Sequence, residues 1–252
     1  MRRKLFAAVF AIAAVTGLTA ACGSSSDPNV LKVGTEGTYA PFDYQGSNGQ
    51  LTGYDVEVTQ AVAKKLGKKA EFTQTPWDSI FAGLQSKRYD LVADQVTINA
   101  DRQAKYSLSQ PYTTSEGVIV ARSDDHSING PTDLRGKTCA QSSTSNWSKV
   151  ASDAGCKVEA VEGMVQAVQL LKQGRVDATI NDTLAVGDYT KTTGDTAVKV
   201  VAKTGDTSRQ GFAARKDSSA LIGQINTALD QLRADGTLAA ISKKYFGDDV
   251  SK

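Results

Sequence analysis

The stretch "RYDLVADQVTINADR", residues 88–102, ends an apolar run, Leu91-Val92-Ala93, in Asp94-Gln95, with Thr97 and Arg102 following. A carboxylate, an amide, a hydroxyl and a guanidinium thus sit close together in the chain. The planar Arg fork can bond both oxygens of a carboxylate, and Asp94 and Thr97 can receive a cationic donor. Taken singly, each of these residues reads as part of a solvated surface turn. Their chemistry depends on which elements position them.

Coarse patterning alternates strands and helices along the chain. Residues 30–34 read as a strand, and Asp55 is placed to cap an amphipathic helix through Val56, Val62 and Leu66, which Gly67 stops. Asp78 starts a second helix that buries Ile80, Phe81 and Leu84, ahead of a strand at 89–93. A second set follows, with strands at 137–141, 157–161 and 176–180 and helices at 145–154 and 164–173. Leu221, Ile222, Ile225, Leu229 and Leu232 then fall at helical spacing, and a shorter helix surrounds Leu238 and Ile241. This alternation predicts βα units around mostly parallel sheets.

The opening stretch has an internal echo. Laying "IFAGLQSKRYDLVADQ" (80–95) over "AVQLLKQGRVDATIND" (167–182) pairs Leu84 with Leu171, Arg88 with Arg175 and Asp90 with Asp177. Asp94-Gln95 then falls on Asn181-Asp182. Each copy is a helix, a turn, an apolar strand and a polar pair at the strand's carboxyl end, where open α/β sheets bind ligands. Two such lobes would face each other across a cleft; chance similarity of two βα units is the alternative.

Eight segments carry a wider likeness: "VGTEGTYAPFDY" (33–44), "LTGYDVEV" (51–58), "PWDSIFAGLQSKRYDL" (76–91), "QVTINADR" (95–102), "SQPY" (109–112), "DLRGK" (133–137), "GRVDATIND" (174–182) and "LRADGTLAAISKKYFG" (232–247). In order and spacing the chain resembles the polar amino-acid-binding solute receptors of bacterial ABC importers over nearly all of residues 30–249. "TEGTYAPF" with "PWD" and "DQVTI" looks most like their cystine-binding branch. The resemblance implies an α/β, two-lobed Venus-flytrap periplasmic-binding-protein fold of type II, with mostly parallel sheets flanked by helices. Two hinge strands would cross near 114–118 and 207–212. Lobe 1 would hold residues 30–115 and 211–252, and lobe 2 residues 116–210.

A free amino acid carries a carboxylate and an ammonium on one carbon, so its site needs a cation, an anion and neutral donors. The resemblance gives Arg102 the carboxylate, although a lone Arg in "NADRQ" reads as a surface residue. Ser145 and Asn146 open a predicted helix whose free N–H groups favour an anion; a plain N-cap would look the same. The resemblance gives the ammonium to Asp182, with Thr97 as a second acceptor and Asp94 and Gln95 lining the pocket. Tyr39 and Trp77 match positions where the family sandwiches the ligand between rings, with core packing as the alternative. Glu36 and Asp94 add two carboxylates beyond the α-groups, which favours a ligand with a distal cation. Lysine, arginine and cystine all meet that need; the resemblance to the cystine-binding branch places cystine first, with arginine, lysine and glutamine after it.

Such a receptor would deliver its ligand to an ABC permease, act as a monomer and need no cofactor. Two Cys and the distant His126 do not make a metal site. A sensing lipoprotein that feeds no importer is one competing function. A dehydratase-like enzyme on the same fold, with Glu36 or Asp94 as base, is another.

Residues 1–21 read as an export signal, with basic Arg2-Arg3-Lys4, an apolar stretch and small residues before Cys22. Cys22 followed by Gly-Ser-Ser-Ser resembles a lipoprotein processing site, with residues 22–29 as a flexible lipidated linker; an ordinary signal cut elsewhere is the alternative. Location is then outside the cytoplasm, on the cell membrane. The signal carries three of the 29 Lys+Arg and none of the 27 Asp+Glu, so the mature chain has 26 against 27, a formal −1. That balance gives no reason to expect nucleic acid. Cys139 and Cys156 are the remaining thiols, in strand-like segments flanking one helix, and a disulfide between them is expected, with free buried thiols as the alternative. Lipidation at Cys22 is checked by detergent-phase partitioning: the wild type should enter the detergent phase and Cys22→Ser should not.

Overall fold

The first strand, β1 (Val30–Thr35), buries Leu31 and Val33 on one face, as period-two alternation requires. The structure, a computed structural model, describes residues 27–252, so the signal segment, Cys22 and most of the linker lie outside the described residues. Three short strands follow, β2 (Thr38–Tyr39), β3 (Asp43–Gln45) and β4 (Leu51–Thr52), paired into a small sheet of their own. Then come α1 (Tyr54–Lys65), β5 (Lys69–Gln74), α2 (Trp77–Gln85), β6 (Leu91–Thr97), α3 (Ala100–Lys105) and β7 (Tyr106–Leu108). A long strand, β8 (Thr113–Arg122), leads into a second set of βα units. These are β9 (Thr138–Gln141), α4 (Asn146–Asp153), β10 (Lys157–Ala160), α5 (Met164–Lys172), β11 (Ala178–Asp182) and α6 (Thr183–Thr193). The 18-residue β12 (Val198–Arg215) returns the chain, and α7 (Ser219–Ala234) and α8 (Thr237–Phe246) close it.

The main sheet runs β10-β9-β11-β8-β12-β6-β1-β5, with β7 on β12. Within each half the βα strands pair in parallel: β1 with β5 and β6, β9 with β10 and β11. The two long strands pair antiparallel with each other and join the halves. Thr207 to Gln210 of β12 lie opposite Glu116 to Thr113 of β8, next to a break in register between Lys203 and Thr207. Beyond Gln210 the same strand pairs with β6 and β7. This is the two-lobed, type II arrangement, and its lobes are tied by two strands at the junction of the two halves of the main sheet.

Each lobe has its own apolar interior. In the first, Leu31, Val33, Val58 and Phe212 pack with Ile225 and Leu229 of α7, and Ile80, Leu84 and Val92 form a second layer under α2. In the second, Val118, Val120 and Leu171 lie on one side of the sheet, and Ile119, Leu134, Trp147 and Ile180 on the other. Cys139 and Cys156 are joined by a disulfide with Cα atoms 5.9 Å apart, linking β9 to the end of the turn after α4.

Two local expectations fail for the same reason. Asp55 does not cap α1; Gly53 does, at φ 131°, where a side chain would run into the Phe42 carbonyl. Asp55 is the second residue of the helix and is fully buried. Asp78 does not cap α2 either, since Pro76 takes that position. In both cases the carboxylate reaches out of its helix to a tertiary partner. The strand expected at 89–93 instead spans Leu91–Thr97.

Removing the disulfide should weaken the second lobe. The Cys139→Ser/Cys156→Ser double variant should lose about 2–4 kcal/mol in urea unfolding, because a loop of this size no longer constrains the unfolded chain.

Candidate functional site

The carboxyl ends of β1, β6, β9 and β11 converge on a cavity of about 820 Å³ between the lobes. From the first lobe it is walled by Glu36, Tyr39, Gln74, Trp77, Asp94 and Gln95. The second lobe contributes Gln141, Ser145, Asn146, Thr179, Asn181 and the segment from Val161 to Ala167. Hydrogen bonds span the cleft at Tyr39 and at Asp78. Tyr39 Oη donates to Asn181 Oδ1 at 2.6 Å. The Asp78 carboxylate accepts from the backbone N–H of Ser143 (3.2 Å) and Thr144 (2.9 Å) and from Thr144 Oγ1 (2.8 Å).

Seven of the ten residues expected from the sequence wall this cavity: Glu36, Tyr39, Trp77, Asp94, Gln95, Ser145 and Asn146. Ser145 also caps α4, its Oγ accepting from the Ser148 N–H at 3.0 Å. Thr97, Arg102 and Asp182 are not in the wall. Strand geometry accounts for Asp182. β11 pairs with β8 in unbroken register, so alternation turns Thr179 and Asn181 to the cavity and Asp182 away. Its carboxylate caps α6 through the Leu184 N–H and also accepts from Ser115 Oγ and Gln210 Nε2. Its pKa is raised to about 6 by burial, with those hydrogen bonds opposing the rise.

In β6 the register breaks opposite Gly211 and Ala213, and Gln95 takes a positive φ of 45°. This irregularity suspends the alternation, so Asp94 and Gln95 can both wall the cavity. Asp55 holds the bend in place, its carboxylate accepting from Gln95 N at 2.7 Å and Gln95 Nε2 at 2.5 Å. The Thr97 hydroxyl instead lies 3.4 Å from Ser208 Oγ. Arg102 is buried, its guanidinium 5.1 Å from the Trp77 ring centroid and 5.7 Å from that of Phe81. Nη1 donates to the Thr97 carbonyl at 3.0 Å, while Nη2 is buried with no protein acceptor among the described residues. Burial lowers the Arg102 pKa to about 10.

Charge at the cavity floor is one-sided. Asp94 is 1% exposed, and both its oxygens lack a protein donor among the described residues. Among the described residues none of Glu36, Asp43, Asp55, Asp94 and Asp182 belongs to an ion pair. Burial raises the Glu36 pKa to about 7, with Asp78 and Glu162 adding to the rise, and that of Asp55 to about 6. Burial first, then the neighbouring carboxyls, pushes Asp94 well above the usual range. The arrangement can bind a cation at Asp94 and an anionic group at the exposed N–H groups opening α4, against the rings of Tyr39 and Trp77. Among the described residues no cluster of three or more metal-ligating side chains is found.

Gln74, Gln141 and Ser142 were not expected, and Asn181 was read only as half of the second polar pair. All four lie at or just after strand carboxyl ends, where the rule that located Asp94 would also have found them. Asp43, buried beneath the cavity, carried no signal beyond its place in "APFDY".

Residues 31–248 match the family model for bacterial extracellular solute-binding proteins, family 3. The chain belongs to this family. It is 48% identical to the L-cystine-binding protein TcyA of Bacillus subtilis, over 99% of this chain and all of that one. The unliganded open L-cystine solute receptor of Neisseria gonorrhoeae is 45% identical over 88% of this chain and 94% of its own, yet superposes at a TM-score of 0.59. An ancestral arginine-binding protein bound to glutamine is 36% identical over 88% of this chain and all of its own, and superposes at 0.83. The ligand-bound protein thus superposes better than the unliganded open one, although its sequence is the more distant.

The raised carboxyls set a pH dependence. Groups whose pKa is higher folded than unfolded stabilise most below about pH 4 and lose that contribution as pH rises through about 6–7. The unliganded protein should therefore melt several degrees lower at pH 8 than at pH 5. The fall should shrink in Asp94→Asn, which differential scanning fluorimetry can measure.

Proposed function

We propose that this protein is the extracytoplasmic receptor of an amino-acid ABC importer, closing its lobes on a polar L-amino acid and presenting it to a membrane permease. The observation that carries this reading is Asp94, a carboxyl on the cavity wall with both oxygens buried and without a protein partner. Leaving such a group unpaired is costly, so the site is organised for a cation supplied by the ligand. Arg102 Nη2 is the opposite case, a buried cationic donor awaiting an acceptor. It stacks on the Trp77 ring, which walls the same cavity. A zwitterion satisfies both. Thr97 and Asp182 then act at one remove, holding the strand ends rather than the ligand.

Cystine is the favoured ligand, with arginine, lysine and glutamine behind it. A cavity of about 820 Å³ exceeds the needs of one small amino acid, and the carboxyls of Glu36 and Asp94 suit a molecule with two ammonium groups. The relative named for L-cystine binding, 48% identical over its full length, supports the same choice. A lipid on Cys22, with residues 22–29 as tether, would keep the receptor near its permease, as a monomer without enzymatic activity.

Isothermal titration calorimetry of the mature domain with cystine, arginine, lysine and glutamine tests the reading. Cystine should bind most tightly. Asp94→Asn should cost about 3–5 kcal/mol of cystine affinity by leaving an ammonium unpaired, with the far-UV circular dichroism unchanged. Equal affinities across the series would reject the ligand choice.

A further inference from the structure

Beneath the cavity, Asp43 on β3 and Asp94 on β6 bring their carboxyls within hydrogen-bond reach of each other. Asp43 is 0% and Asp94 1% exposed. One of the four oxygens, Asp43 Oδ1, accepts from the Gly37 N–H. The other three have no protein donor among the described residues. Asp94 walls the cavity and Asp43 does not.

We infer that Asp43 and Asp94 share one proton in the unliganded cleft, and that a ligand ammonium group expels it on seating against Asp94. The inference rests on the reading of the cleft as an amino-acid site. Two buried carboxyls in contact cannot both ionise without a cation between them, whereas one proton between them makes a donor and an acceptor. That proton satisfies two of the three unpartnered oxygens and leaves one Asp94 oxygen for the ligand.

The surrounding groups reinforce this. Glu36, after β1, and Asp55, on α1, face the pair with like charge. Arg102, on α3, is the cation that acts on Asp94, but it stands outside ion-pair distance among the described residues. The nearby hydroxyls of Tyr39, Tyr89 and Tyr112 have raised pKa values and stay neutral. Burial pushes both carboxyls well above the ordinary range, and Asp55 and Glu36 add to the rise at each, with Asp43 adding to that of Asp94.

The step balances as an exchange. Before binding, the pair carries one negative charge and the ligand ammonium one positive charge. Afterwards both carboxyls are ionised, the ammonium lies against Asp94, and the proton has passed to solvent. No bond other than the O–H bond is broken. Ligand affinity should then rise about tenfold per pH unit while the free pair remains protonated. Asp43 acts here through Asp94, as a positioning residue.

Calorimetry of the mature domain with cystine at pH 7, in phosphate and in Tris, counts the protons through the different ionisation heats of the buffers. The wild type should release about one proton per cystine. Asp43→Asn should still bind but release none, with a flat pH profile, because the amide that replaces the carboxyl can donate to an ionised Asp94. Infrared spectroscopy of the unliganded wild type should show a carboxylic-acid C=O band that disappears in Asp94→Asn, and this arm does not depend on Asp43→Asn folding. Binding without proton release, continued release by Asp43→Asn, or the absence of that band overturns the shared proton. A cleft that takes no amino acid yet keeps the band supports the shared proton and rejects the ligand reading instead.

Discussion

Removing a carboxyl group from water is unfavourable unless a cation, a proton or several donors replace the lost hydration. Much of this molecule is arranged around that constraint. Asp43, Asp55 and Asp94 are each at most 1% exposed, and Asp182 is 2% exposed, without an ion pair among the described residues. They are accommodated in different ways. Asp55 is held by two donors from Gln95, and Asp182 by a helix start, a serine and a glutamine. Asp94 has neither kind of partner, and it is the one of the four that walls the cavity. Donors are given to the carboxyls that shape the backbone and withheld from the one that faces the cavity.

The hinge makes that withholding tolerable. With the lobes apart, water can reach the cleft floor. With them together, Asp94 is dry, and the contacts of Tyr39 with Asn181 and of Asp78 with the Ser143-Thr144 backbone must offset its desolvation. Those contacts are few and partly exposed, so their contribution is small. The register between β8 and β12 breaks between Lys203 and Thr207, next to the residues that join the two lobes. On the proposed reading a ligand cation would change the balance by stabilising the closed state alone, which is the differential affinity a population shift requires.

The sequence was most readable where local rules act without tertiary interference. The alternation of βα units, the N-cap at Ser145 and the apolar spacing of α7 each follow from a short-range pattern that nothing overrides. Reading failed where a polar side chain leaves its own element. Asp55 and Asp78 stand where caps stand, and only the folded chain shows Gln95 in front of one and the second lobe in front of the other. The echo between the two lobes was legible, but it did not reveal that β11 is regular while β6 is bent. That difference decides whether the second residue of each polar pair meets the cavity: Gln95 does and Asp182 does not.

The bend also bears on specificity. A regular strand would turn one of Asp94 and Gln95 toward the cavity, and Gln95 alone would offer neutral groups that many solutes can satisfy. With the bend, Asp94 stays in the wall while Gln95 is clamped by Asp55. A neutral solute entering the closed cleft then leaves a carboxyl buried beside Asp43 and Glu36, either charged and unpaired or holding its proton and contributing nothing to binding. Recognition of this kind works as much by penalising the wrong ligand as by rewarding the right one. On the proposed reading Arg102 would apply the same rule with the opposite sign, since a ligand without a carboxylate would leave Nη2 unsatisfied. A molecule must carry both charges to relieve both penalties, and the distance between those two groups, more than the shape of the cavity, limits which molecules can.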